Sequence, residues 1–99
     1  MSVTNMPAIH PGEILRDLYL EPLDMSAGAL AKQLNVPRTR MERIVTEKIG
    51  ITSDTALRLA RYFDTTPEFW MNLQTGYDLK VEAERMQDEI GRIPVHRAA

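Results

Sequence analysis

Cysteine is absent from this 99-residue chain, and histidine occurs only twice. The lack of cysteine excludes disulfide bridges, cysteine-ligated zinc and thiol nucleophiles, and it suits a reducing compartment. His10 and Glu13 are spaced like a pair of metal ligands, but the one other histidine is far away, at position 96. We therefore expect His10 to cap a helix or to lie at the surface, and we predict no metal site and no cofactor.

Nucleophile–base pairs and glycine-rich phosphate loops do not stand out, so the chain is not expected to be an enzyme. Long apolar runs are also missing, since no stretch approaches the about 18 apolar residues of a membrane span. Residues 1–9 lack the basic start and apolar centre of a signal peptide. These absences predict a cytoplasmic protein that does not contact a membrane.

Charge is distributed unevenly along the chain, whose formal net charge is -2. Residues 31–61 hold seven basic and three acidic residues, a net charge of +4, whereas the remainder carries -6. A basic segment on an otherwise acidic chain is typical of a nucleic-acid-binding face. A solvated surface with clustered charge is the alternative that composition leaves open.

Residues that start and stop helices divide the chain into five predicted helices, without strand-like alternation or repeats. The predicted starts are, in chain order, Pro11, Ser26 as an N-cap, Pro37, Thr52 or Ser53 as an N-cap, and Thr66 as an N-cap. The second helix is predicted to stop at Asn35 and the fourth at Phe63. From Glu82 onward, the charged sequence predicts a frayed helical end followed by irregular chain.

The second and third predicted helices form a helix-turn-helix pattern. Ala31 is small enough for the two helices to cross closely, and Met41 and Ile44 anchor the third helix inward. The outward residues of the third helix are Arg38, Thr39, Arg40 and Arg43. Arginine can bind guanine in the major groove and threonine can contact a base there, so this helix is predicted to bind DNA. A purely structural helical bundle is the alternative.

The N-termini of the second and fourth helices present backbone N–H groups that suit DNA phosphates. The full predicted DNA-binding set is Ser26, Arg38, Thr39, Arg40, Arg43, Thr52 and Ser53.

Apolar residues at helical spacing predict the packing faces. The first helix should bury Ile14, Leu15 and Leu18, and the fourth should bury Ala56, Leu57, Ala60 and Phe63. On the fifth, Trp70, Leu73 and Tyr77 are predicted to form core or dimer contacts rather than a ligand pocket. Because a chain this short buries only about two-thirds of its unfolded surface, a dimer interface would add stability.

Three runs of sequence closely resemble the HigA family of antitoxins, a branch of the Cro/repressor-like helix-turn-helix proteins. They are HPGEILRDLYLEPLDMS, ALAKQLNVPRTRMERIV and GITSDTALRLARYFDTTPEFWMNLQTGYDL. The resemblance covers about residues 10 to 80. Its most specific pieces are HPGEIL, GIT followed by DTALRLAR, and TTPEFWMNLQ. It implies an all-α, five-helix domain over residues 10–80, preceded by an N-terminal arm, 1–9, and followed by a charged C-terminal extension, 81–99.

The resemblance also implies a two-part function. Family members bind the operator of their own toxin–antitoxin operon as homodimers, and they neutralise a small basic, HigB-like toxin that cleaves messenger RNA. The family's base-contacting positions fall on Arg38, Thr39 and Arg43, with Arg40 beside them as a base or phosphate contact. Pro37 replaces a common Ser or Thr cap, and Gly76 is expected to loosen the fifth helix by about 1 kcal/mol.

Two other functions are compatible with the residues. One is a stand-alone repressor without a toxin partner, and the other is a protein inhibitor that no longer binds DNA. The outward arginines favour DNA binding, and the acidic remainder favours a basic protein partner. The acidic residues of this remainder include Asp78, Glu82, Asp88 and Glu89, which we interpret as a solvated face rather than as catalytic acids.

Overall fold

The computed structural model describes residues 7–97, and every regular element in that range is helical. The helices are α1 (Pro11–Ile14, continued by a π-helical segment, Leu15–Leu20), α2 (Ala27–Leu34), α3 (Arg38–Val45), α4 (Ser53–Phe63), α5 (Pro67–Arg85) and α6 (Gln87–Gly91). The all-α prediction is confirmed, with α6 as an additional short helix. Most of the predicted N-terminal arm, residues 1–9, lies outside the described residues.

Side-chain caps start the helices at the predicted places. The hydroxyl of Ser26 accepts a hydrogen bond from the backbone N–H of Ala29 at 3.0 Å, and Thr66 caps α5 in the same way. Thr52 is the cap of α4, and Ser53 is the first helical residue. His10 caps α1, because its Nδ1 accepts from the N–H of Gly12 at 2.8 Å. The expectation that His10 caps a helix is therefore confirmed.

The turn between α2 and α3 corrects one prediction. Asn35 ends α2 with a left-handed backbone, φ 58°, as expected. Pro37, however, has ψ 140° and lies outside α3 as its N-cap, so the helix begins at Arg38 and not at Pro37. Proline has no side-chain acceptor, and no cap hydrogen bond forms there. The first α3 side chain is therefore an arginine.

Close packing in the body of the protein orients α3. The core consists of Leu15, Leu20, Leu30, Ala31, Leu34, Met41, Ile44, Ile51, Ala56, Leu59, Ala60 and Trp70. Gly12 of α1 lies so close to α3 that an added Cβ would stand 1.8 Å from the carbonyl oxygen of Ile44. Since only a residue without a Cβ fits this contact, α1 and α3 pack almost backbone to backbone.

Two predicted core residues are exposed. Leu18 is 63% exposed, because the π-helical segment pairs residues five apart and turns Leu20 toward the core instead. Leu57 is 60% exposed, and Leu59 occupies the core position on α4. Leu57 lies at the edge of the buried face of α4, to which Ala56 belongs, and it borders a hollow on the protein surface.

The C-terminal part of the chain is more helical than predicted. Instead of fraying at Glu82, α5 continues to Arg85, α6 follows after Met86, and irregular chain begins only after Gly91. Gly76 lies within α5 without interrupting it. The second half of α5 extends beyond the body, which gives the molecule a long dimension of 56 Å against 25 and 24 Å.

None of the helices between residues 7 and 97 is long and apolar enough to cross a membrane.

Candidate nucleic-acid interface

Helix α3 separates a buried face from an exposed one. Met41 and Ile44 are fully buried, and they attach the helix to the core. Thr39, Arg43 and Thr46 are exposed on the other side. Because α3 is only eight residues long, two buried anchors suffice to set its rotation and direct these polar side chains outward.

The arginines of α3 have three different environments. Arg43 is exposed and makes no ion pair or hydrogen bond through its side chain among the described residues. The side chain of Arg38 is 76% exposed and pairs with Glu42 of the same helix at 2.7 Å. Arg40 is turned toward α4, where it pairs with Asp54. Arg43 and Arg38 are thus available at the surface, whereas Arg40 is held against a neighbouring helix.

Asp54 connects Arg40 to the rest of the body. Its carboxylate also accepts from Nε of Arg58 at 3.1 Å, and Arg58 in turn donates to the carbonyl oxygen of Leu34 at 2.8 Å. Hydrogen bonds from Arg58 and Arg40 hold the pKa of Asp54 below its ordinary value. The carboxylate is therefore ionised at neutral pH, and it joins α3, α4 and the end of α2.

The N-terminus of α2 lies beside α3. Ser26, Lys32, Arg38 and Glu42 border one shallow hollow, so the backbone N–H groups after Ser26 and the guanidinium of Arg38 face the same space. At the start of α4, Thr52 and Ser53 are exposed. The predicted phosphate-binding positions are accordingly at the surface, on helices that pack against or next to α3.

A basic residue of α1 holds the C-terminus of α3, and sequence analysis did not anticipate it. Arg16 donates from Nη1 to the carbonyl oxygen of Val45 at 2.8 Å and also contacts Glu47 at 3.3 Å. A cation at this end of a helix is favourable because the helix dipole is negative there. The hydrogen bond that Arg16 donates to Asp17, with a further one to Glu47, raises the pKa of Arg16.

Gln74 was also missed, although it is buried and supports the loop between α3 and α4. Its Oε1 accepts from the N–H of Ile51 at 2.6 Å, and its Nε2 donates to Asp78 at 2.9 Å. Gly50 provides the space that the Gln74 side chain occupies, since a Cβ at this position would lie 2.7 Å from the Gln74 oxygen. The partners are 23 residues apart, and no local pattern predicts such a bond.

The predicted packing residues of α5 contact other parts of the same chain. Trp70 is fully buried, and its Nε1 donates to the hydroxyl of Thr65 at 2.8 Å. Leu73 packs against the core, and the half-buried ring of Tyr77 meets His10 edge to face at 4.9 Å. In the single chain these three residues make intramolecular contacts.

Comparison with known proteins identifies the family. No protein-family model matches the chain. Virulence-associated protein I of Dichelobacter nodosus is 57% identical over 82 residues, which cover 83% of this chain and 76% of that protein. Antitoxin HigA-1 of Vibrio cholerae is 33% identical over 89 residues, covering 90% of this chain and 84% of the relative. The chain belongs to the HigA family of antitoxins.

A solved structure supports this membership at the level of the fold. Antitoxin HigA of Pseudomonas aeruginosa, determined with the higBA promoter, superposes on this HigA-family chain with a TM-score of 0.87 and is 46% identical. The match covers 89% of this chain and 97% of the Pseudomonas protein. The resemblance seen in the sequence is thereby confirmed. The prediction that the chain is not an enzyme is also confirmed, because its relatives include antitoxins and helix-turn-helix transcriptional regulators.

Proposed function

We propose that this HigA-family protein binds the operator of its own operon as a homodimer, represses that operon in the cytoplasm, and neutralises an mRNA-cleaving, HigB-like toxin. One observation carries the DNA-binding part: Met41 and Ile44 are buried while Thr39 and Arg43 are exposed on the opposite face of α3. Residues 10–80 supply the DNA-binding domain, and residues 81–99 belong to the surface for protein partners.

Within this proposal, α3 enters the major groove from its N-terminus. Arg38, Thr39 and Arg43 contact base edges, because they are exposed and are not tied to another helix. The N–H groups that follow Ser26 and Thr52–Ser53 bind phosphates on either side of the groove, where the positive ends of α2 and α4 add to the attraction. The base contacts select the operator, and the phosphate contacts set the orientation of the domain.

A seam on the C-terminal helices supports the homodimer. Leu79, Ala83, Met86 and Ile90 are spaced by four, three and four residues, and they line one apolar hollow. This spacing is the one that pairs helices in coiled coils. Leu79 is 66% and Ile90 51% exposed, so the seam is uncovered in the single chain. Pairing with the same seam of a second copy would bury it.

Charge supports a basic protein partner. Residues 78–90 contain five acidic and two basic residues. Of the acidic ones, Glu82 is paired with Arg85, whereas Glu84, Asp88 and Glu89 are exposed on the projecting helices. A toxin that acts on RNA is expected to be basic, and an acidic surface would steer it toward the antitoxin.

A gel-retardation assay tests the DNA-binding proposal. The protein is titrated against its own upstream DNA and against a scrambled duplex of the same length and composition, at low salt. We expect the upstream DNA to be retarded at lower protein concentration. Equal retardation of the two duplexes, or none, would contradict operator binding and favour a pure protein inhibitor.

The toxin proposal requires a second experiment. A short, basic reading frame next to this gene is expressed alone and together with the antitoxin, and messenger RNA cleavage and cell growth are followed. We expect the neighbour to arrest growth alone and the antitoxin to restore it. If no such neighbour exists, or if co-expression does not restore growth, the protein is better described as a stand-alone repressor.

A further inference from the structure

An ion-pair bridge links one arginine of α3 to two neighbouring helices. Asp54, in the first turn of α4, accepts from Arg40 of α3 and from Arg58 of its own helix. Arg58 is itself fixed by the carbonyl oxygen of Leu34 at the end of α2. The bridge thus holds Arg40 at its guanidinium, with the side chain only 34% exposed against 76% for Arg38.

The position of Asp54 is unfavourable for DNA affinity. It follows directly after Thr52 and Ser53, whose N–H groups are the proposed phosphate ligands at the start of α4. A carboxylate at this position stabilises the helix through the dipole. It also repels any phosphate that approaches the same N-terminus, and it occupies the guanidinium of Arg40, which lies next to the proposed base contacts.

We propose that Asp54 limits binding to non-operator DNA by holding Arg40 in an internal ion pair and away from the DNA backbone. This inference rests on the proposed DNA-binding function and deepens it. An arginine that contacts phosphates adds affinity for every sequence alike, whereas base contacts add affinity for the operator. Since a genome offers a vast excess of non-operator sites, a brake on phosphate binding leaves more protein free for the operator.

The three arginines of α3 then have separate roles. Arg43 has no partner in the described chain and contacts bases. Arg38 forms an exposed ion pair with Glu42 of the same helix, and breaking such a surface pair costs little free energy. Arg40 is tied to another helix, and its partner Asp54 is tied a second time through Arg58. Only Arg40 is therefore withheld from DNA by a bridge between helices.

Asp54→Asn removes the charge and keeps the size of the side chain, so it should release Arg40. Arg58 should stay in place through its hydrogen bond to Leu34. One added phosphate contact steepens the dependence of log affinity on log salt by about 0.9. The same relation makes the affinity for scrambled DNA rise by about tenfold at 0.1 M salt. The matched control is Asp64→Asn, at an exposed acid at the other end of α4. Asp64 has a left-handed backbone, which asparagine also tolerates.

The experiment measures fluorescence anisotropy of scrambled and upstream duplexes over a series of salt concentrations, with melting temperatures recorded to verify folding. Asp54→Asn should bind scrambled DNA more tightly and with a steeper salt slope, and Asp64→Asn should match the wild type. In an Arg40→Ala background, Asp54→Asn removes only the direct repulsion between the carboxylate and phosphate, so the rises in scrambled-DNA affinity and in salt slope should be clearly smaller than those in the wild-type background. The outcome that overturns the inference is an unchanged or weaker affinity in Asp54→Asn, or a full rise without Arg40.

The two proposals fail separately in this design. If the wild-type protein prefers its upstream DNA but Asp54→Asn behaves like the control, the brake is wrong and operator binding stands. If Asp54→Asn shows the expected rise on scrambled DNA while the wild type shows no preference for its upstream DNA, the brake stands and operator recognition is wrong.

Discussion

Two regions of the molecule are helical for different reasons. The helix-turn-helix body consists of α1 to the first half of α5, and the C-terminal projection consists of the second half of α5 with α6. In the body, buried side chains such as Met41 and Leu59 hold helices that are short. In the projection, almost every side chain is exposed. The body is stabilised by its own core, whereas the projection presents an apolar seam and acidic side chains.

This difference indicates what each region needs in order to function. The body holds α3 at both ends. Pro37 and the turn before it fix the N-terminus of α3, and Arg16 of α1 binds its C-terminus, so the exposed face of α3 is arranged before DNA binds. The projection has apolar residues at a helix-pairing spacing, and two of them, Leu79 and Ile90, are exposed in the single chain. The body therefore presents α3 in a fixed orientation, and the projection is the proposed site of pairing with a second copy.

The largest effect is expected from Trp70→Ala in the body. Loss of a fully buried aromatic side chain and of its bond to Thr65 should lower the free energy of unfolding by about 4 kcal/mol. Denaturant titration followed by circular dichroism measures it. Val81→Ala in the projection serves as the control and should change the free energy of unfolding by less than about 0.5 kcal/mol. Comparable losses in the two variants would contradict the division between body and projection.

A smaller effect, confined to the projection, is expected from Leu79→Glu. Placing a charge in the seam removes the burial of an apolar side chain from each copy, so the dimer dissociation constant should rise at least about a hundredfold. Analytical ultracentrifugation measures this constant. Val81→Glu, two residues on and pointing away from the seam, is the matched control. If both variants remain dimeric, the seam is not the dimer interface.

Cap substitutions should separate stability from DNA binding. Ser26→Ala and Thr66→Ala each remove one cap hydrogen bond and should lower the free energy of unfolding by about 1 kcal/mol. Only Ser26 adjoins the proposed interface, so only its variant should also weaken operator binding. Thermal melts and anisotropy measure the two quantities. Equal operator affinity in both variants would remove Ser26 from the interface.

The smallest effect concerns pH and compares one carboxylate from each region. Hydrogen bonds from Arg58 and Arg40 lower the pKa of Asp54, and the hydrogen bond from Arg85 lowers that of Glu82. A carboxylate whose pKa is lowered by folding stabilises the protein at pH values above its ordinary pKa. This stability is lost as the pH falls through the lowered pKa of the folded state. Both carboxylates should therefore stay ionised from pH 8 to pH 5. Carboxyl chemical shifts followed by NMR should be flat in that range, and a titration midpoint above pH 5 would contradict the ion pairs.

Local signals predicted much of the body. Ser26, Asn35, Thr52 and Thr66 have the side chains that caps and left-handed stops require, so the helix limits followed from residue type. The spacing of apolar residues likewise predicted which face of α3 is buried. These features depend on residues within one turn of each other, which is why a single sequence reveals them.

Contacts between distant residues were not predictable in the same way. Gln74 bonds to the backbone of the loop between α3 and α4, and Arg16 bonds to the backbone of α3. Nothing in the residues next to them in sequence marks these contacts. The exposure of Leu18 follows from a π-helical segment that α-helical spacing does not foresee. The ion pair between Arg40 and Asp54 also depends on how α3 and α4 lie together, which the sequence does not reveal.

Recognition of a specific DNA sequence by the exposed face of α3 is the step on which the proposed function depends. Arg43→Ala tests it most directly, because this side chain is exposed and has no partner among residues 7–97, so its removal should leave folding intact. Anisotropy titrations should show operator affinity reduced by about tenfold to a hundredfold, with a much smaller loss on scrambled DNA, as expected for a base contact. An unchanged operator affinity, or an equal loss on both duplexes, would contradict it.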